Sequence, residues 1–112
     1  MIEKVEYLEI DRVKYPYICS LNVLEKIQDK YGRLSNWEKA MVLKEEDEET
    51  GEISISDLRT TLTFMLNEGA EVEEKEILTE GQVGRLLYKY GIQKAYSIAK
   101  DQITICIYGK NA

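Results

Sequence analysis

Residues 56–91, SDLRTTLTFMLNEGAEVEEKEILTEGQVGRLLYKYG, decide the fold. Ser56 stands ahead of Leu58, Leu62, Met65 and Leu66, which recur on one helical face, and Gly69 is suited to a left-handed stop. EVEE and the residues after it read as an acidic linker over 71–76. Thr79 opens a second helix, and Gln82 three residues on completes a T-x-x-Q capping box. Val83, Leu86, Leu87 and Tyr90 follow at i, i+3, i+4 and i+7, the best amphipathic match in the chain, before Gly91 closes the helix. Two glycine-ended helices across an acidic link make a frame that presents surfaces. Nothing in the stretch reads as a reaction centre.

Toward the C-terminus, Ile92, Ala95, Tyr96, Ala99, Ile103, Cys106 and Ile107 share a stripe and predict a fifth helix. Its end at 103–108, ITICIY, is β-branched enough for a strand. Toward the N-terminus, Ser35 opens a helix with Glu38 as its capping-box partner. Trp37, Ala40 and Met41 form its apolar stripe, which fades at Lys44. Before it, Ser20 caps a helix over Leu21–Tyr31, with Gly32 at the left-handed C′ position. VEYLEI and VKYPYI flank Asp11-Arg12 as a β-hairpin over 4–18, with Pro16 placing the second strand at an edge or at its end. Residues 45–52, EEDEETGE, hold six acids in eight positions and read as a solvated loop. The expectation is a mainly α single domain over 1–112. An N-terminal β-hairpin leads into about five short helices in a compact bundle over 20–108, with acidic loops at 45–52 and 71–76.

A length of 112 residues supplies one compact core, and the 44% hydrophobic and 32% charged fractions are ordinary for a globular domain. No apolar run is long enough to span a membrane. MIEKVEYLEI carries acids among its apolar residues and no signal-peptide core, so a cytoplasmic protein is expected. Fifteen bases against 21 acids leave a net charge of −6, the wrong sign for wide phosphate contact. Cys19 and Cys106 lie far apart in a chain with no histidine, so neither a zinc site nor a disulfide is expected. The 45–52 run does not match a calcium loop either: counting from Asp47, position six is Glu52 and position twelve is Leu58. No cofactor, metal or catalytic residue is therefore assigned.

Histidine is absent, no G-x-S-x-G or phosphate-loop pattern occurs, and Gly81 and Gly84 fall inside a helix rather than ahead of one. Those two glycines read as small residues that let helices approach. Residues 79–100 could instead form a helix-turn-helix, with Arg85, Lys89, Lys94 and Lys100 toward phosphate and Gln93 and Lys94 as base readers. Against that, the helix after Gly91 is core-like and the chain is acidic. Among the aromatics and apolar residues, Trp37, Met41, Phe64, Tyr88 and Tyr96 are the candidates for a partner-binding surface, although Trp37, Phe64 and Tyr96 also suit the core. Phe64 and Tyr88 stand off the main apolar lines of their helices.

The order hairpin, KIQDKYGRLSNWEKA, acidic loop, DLRTTLTFMLNEGAEVE, LTEGQVGRLLYKYG and final helix resembles the tail assembly chaperones of long-tailed bacteriophages and related prophages. The likeness runs from about Val5 to Ile107 and is sharpest at LNEGAE, 66–71, and LTEGQVGRLL, 78–87. It implies a small, mostly helical, non-catalytic protein that coats the long helical tape measure protein until the tail tube polymerises around it. The implied partners are the tape measure protein and the tail tube protein, with self-association along a filament-like client. A structural tail-completion protein would look similar in sequence. The family supplies no catalytic residue to carry over.

Overall fold

The computed structural model describes residues 4–109, so the single domain read over 1–112 runs past them at both ends. Strands β1 (Glu6–Ile10) and β2 (Val13–Tyr17) pair antiparallel, with Leu8 opposite Tyr15 and Ile10 opposite Val13. Asp11 and Arg12 both adopt positive φ, 53° and 67°, the mirror-image turn whose twist matches paired strands. Helix α1 (Leu21–Tyr31) starts on Ser20, whose Oγ accepts from the Val23 amide at 3.4 Å. It ends on Gly32 at φ 84°, as expected.

Helix α2 (Leu34–Ala40) departs from expectation. Arg33, not Ser35, stands at its N-cap, without a side-chain cap bond. The early start follows from Gly32, whose reversal already aims the chain into the next turn. The side chain of Asn36 reaches back to donate to the Tyr31 carbonyl at 3.0 Å. Nor does α2 continue toward Lys44. Met41 takes the last helical bond, and its carbonyl then accepts from the Ser54 amide at 2.9 Å.

Residues 45–52 are not a loop: strands β3 (Val42–Glu45) and β4 (Glu48–Ile53) form a second hairpin. Glu46 and Asp47 occupy its tip at φ 53° and 69°. Lys44 faces Glu49, the Thr50 hydroxyl donates to the Leu43 carbonyl at 3.0 Å, and buried Ile53 anchors the base opposite Val42. Glu45 faces Glu48, a like-charge pair, so the hairpin rests on the Lys44–Glu49 pairing and the Ile53 anchor.

Helix α3 (Ile55–Val72) is the hub, in contact with β2, α1, α4 and α5. It starts at Ser54, two residues before the expected Ser56, and Gly69 does not stop it. Buried Leu58, Leu62, Met65 and Leu66 are joined inside by Thr60, Thr61, Thr63, Glu68, Gly69 and Ala70. More than one stripe of this helix is therefore covered. A Cβ at Gly69 would lie 2.5 Å from the carbonyl carbon and oxygen of Pro16 and 2.7 Å from the Tyr17 nitrogen. That glycine serves close approach rather than termination. The contact sets the chain so that the Ile18 amide donates to the Met65 carbonyl at 3.2 Å.

The linker read over 71–76 begins later than expected, because residues 71 and 72 still belong to α3 and the chain turns at Glu74, φ 55°. Asn67 fixes its far end: the Asn67 amide group donates to the Leu78 carbonyl at 3.0 Å and accepts from the Leu78 amide at 2.8 Å. Helix α4 (Glu80–Tyr90) then opens with the predicted capping box between Thr79 and Gln82. Gly91 alone, at φ 113°, joins it to α5 (Ile92–Tyr108), so 103–108 is helix and not strand. Ala95, Ala99 and Ile103 bury the inner face of α5. The architecture is mainly α: among the described residues, five helices with α3 at their centre, one small hairpin at the N-terminus and another between α2 and α3.

Candidate partner-binding surface

The five candidate residues fall in different environments. Trp37 and Met41 are core residues, 4% and 1% exposed. The indole N–H of Trp37 donates to the Thr61 hydroxyl at 2.8 Å, and that hydroxyl donates in turn to the Asp57 carbonyl at 2.8 Å. Neither Trp37 nor Met41 presents surface. Phe64 and Tyr96 are half-buried against the core, and the Lys100 ammonium lies 5.6 Å from the Tyr96 ring centre. Tyr88 alone stands out in solvent, 86% exposed on α4.

Tyr88 borders a groove of about 230 Å³ lined by Ile55, Leu58 and Arg59 of α3, Gly84 and Leu87 of α4, and Ile92 at the start of α5. Leu58 and Leu87 form its buried floor, while Ile55 is 54% exposed at its edge. Gly84 is what lets Arg59 lie across α4, since a Cβ there would come 3.3 Å from Arg59 Cδ. The expectation of close approach therefore holds at Gly84. Gly81, by contrast, is exposed on the first turn of α4. Arg59 Nε is buried with no hydrogen-bond partner in the protein. Sequence reading missed Arg59: it sits between Leu58 and Thr60 like any solvated helix residue, and its approach to Gly84 on α4 leaves no local signal.

A second recess of about 190 Å³ lies between β2, α3 and the turn before α4, lined by residues that include Tyr15, Pro16, Leu66, Ala70 and Leu78. The other buried polar groups are held within the fold. Glu68 accepts from the Ser20 hydroxyl at 2.5 Å and from the Asn22 side-chain Nδ2 at 3.0 Å, fastening α3 to the start of α1. Asp57 accepts from the Tyr31 hydroxyl and, at 2.6 Å, from Ser54. Burial and then that hydrogen bond push the Tyr31 hydroxyl well above its ordinary pKa. Among the described residues, no group of three or more His, Cys, Asp or Glu side chains could hold a metal ion. No described helix is long and apolar enough to cross a membrane.

The segments that carry the phage resemblance have structural duties of their own. Asn67 ties Leu78 in place, Glu68 ties α1, Gly69 admits β2, and Glu80 accepts from the Thr60 hydroxyl at 3.1 Å. Searches of protein-family models, curated proteins and solved structures found no match to the chain.

Proposed function

We propose that this chain is a non-catalytic binding protein of phage tail assembly, which holds a tape measure protein soluble in the host cytoplasm until tail tube subunits displace it. The observation that supports a binding role is Tyr88, held in solvent by α4 beside exposed Ile55 and above an apolar groove. A tyrosine kept at a groove mouth is a common form of interface anchor. The phage assignment itself rests on the resemblance described above. A long amphipathic client would aggregate through its apolar stripe, and a helix-in-groove contact would cover that stripe. The −6 charge would keep coated complexes apart, and a filament-like client favours self-association of the coat.

A helix-turn-helix role gains less support. Such a motif uses a turn of about three or four residues, whereas here Gly91 alone separates α4 from α5. Lys89 is paired with Asp11 at 2.7 Å, and the Lys94 ammonium lies 4.9 Å from the Tyr90 ring centre.

The test is co-expression with a phage tape measure protein. Soluble client should rise severalfold with the wild-type chain, and Tyr88→Ser should remove most of that gain while leaving the far-ultraviolet spectrum unchanged. Client solubility that ignores the wild-type chain would sink the proposal, and retention on duplex DNA would favour a regulator instead.

A further inference from the structure

We infer that the groove at Ile55, Arg59 and Tyr88 takes a helical segment of a partner protein that sets a carboxylate beside an apolar anchor, with the carboxylate on the Arg59 guanidinium. This rests on the protein-binding part of the reading above and not on the identity of the client. The first support is the state of Arg59. A guanidinium carries several N–H donors in a fixed fork, and a buried donor left unpaired is costly. Arg59 Nε is such a donor; it is shielded by the protein, so an incoming carboxylate would meet the terminal nitrogens of the fork, which also hold no partner among the described residues.

Two acids of its own helices are engaged elsewhere. Asp57 holds Tyr31 and Ser54, and Glu80 accepts from Thr60. Among the described residues the side-chain ion pairs are Lys75–Glu73 and Lys89–Asp11, and neither involves Arg59. The chain has 21 acids, yet no described ion pair engages this arginine. A planar carboxylate matches its fork better than any other protein group.

The second support is the apolar lining. Ile55, Leu58, Leu87, Tyr88 and Ile92 surround Arg59 with hydrocarbon, so a partner must bring an apolar side chain along with its acid. Every lining residue comes from a helix and no sheet edge borders the groove, which fits packing of a helix rather than addition of a strand. Nucleic acid fits worse. Phosphate tracking needs several cations in a row, whereas Arg59 is the single cation of this lining in a chain of net charge −6.

The contact is tested with two synthetic amphipathic peptides of about five helical turns. Both carry the same leucine stripe and differ only in glutamate or glutamine beside it. Fluorescence anisotropy against the whole chain should show the glutamate peptide binding about tenfold more tightly than the glutamine peptide. Arg59→Met keeps the aliphatic stem against Gly84 and should abolish that preference, and Tyr88→Ser should weaken both peptides. If Arg59→Met fails to fold, the Nε–H resonance of Arg59 in the wild-type protein reads the same contact, and should shift with the glutamate peptide alone.

Equal affinities, a preference that survives in Arg59→Met, binding of neither peptide, or stronger binding of a short DNA duplex would each overturn the assignment. A glutamate preference without any effect on tape measure solubility would leave the groove standing and remove the phage reading. Solubilisation of the client with no glutamate preference would do the reverse.

Discussion

Gly69 separates local from tertiary reasoning at the level of one residue. In sequence it follows a run of helix formers and looks like a left-handed cap; in the fold it is interior to α3 with the Pro16 backbone against it. No local signal distinguishes the two, because the contact comes from a strand more than fifty residues away in the chain. Alanine at an exposed helical glycine usually gains up to about 1 kcal/mol. At Gly69 the clash is with backbone atoms, and overpacking of that kind costs about 1–3 kcal/mol or more. Gly69→Ala should therefore lower the denaturant midpoint clearly. Gly81→Ala, where a Cβ meets nothing closer than 3.8 Å, should leave it unchanged or raised. Equal effects at the two sites would refute the close-approach role. Thr61 gives a second prediction of the same kind. Valine there keeps the shape but leaves the Trp37 N–H without its acceptor, so Thr61→Val should cost about 1–3 kcal/mol in urea unfolding. A neutral result would mean that the indole finds another partner.

At the scale of elements, the helices that carry their own end signals were legible. Ser20 and Gly32 bound α1, and Thr79, Gln82 and Gly91 bound α4, because capping satisfies backbone groups within a few residues of itself. The β3–β4 hairpin was not legible: its acids dominate the composition, while its pairing depends on an Ile53 anchor and a Met41–Ser54 bond made elsewhere. An isolated two-stranded hairpin is marginal in water. The β3 and β4 amides, exposed except near the base, should exchange with deuterium far faster than those of α3 at neutral pH. Comparable protection would show that the hairpin is covered in solution. The junction of α1 with α3 should respond to alkali. The folded pKa of Tyr31 lies above its unfolded value near 10, so its contribution is complete below that pH and falls away as pH rises through the folded value. Stability should thus decline above about pH 10, and Tyr31→Phe should flatten the decline. Some slope should persist, since burial also raises Tyr17. An unchanged slope in Tyr31→Phe would place the alkaline sensitivity elsewhere.

For the molecule as a whole, charge decides how the chain answers to salt. The net charge of −6 repels itself in the compact state, and screening that repulsion stabilises the fold. Screening also weakens ion pairs, but of those among the described residues Lys89–Asp11 joins two exposed side chains and Lys75–Glu73 an exposed lysine to a half-buried glutamate at 3.6 Å. Exposed pairs contribute about 0–1 kcal/mol each. The buried acid Glu68 relies on neutral donors, Ser20 and Asn22, whose bonds salt hardly affects. The repulsive term therefore dominates, and the melting temperature should rise as sodium chloride goes from low to physiological concentration. Most of the rise should come as the screening length falls from about 30 Å to about 10 Å. Lys89→Ala removes one attractive pair while adding to the negative charge, so it should lower the melting temperature in low salt and steepen the rise. A melting temperature that falls with salt would mean that attractive pairs outweigh the net repulsion, and that the acidic surface is organised by contacts rather than merely displayed.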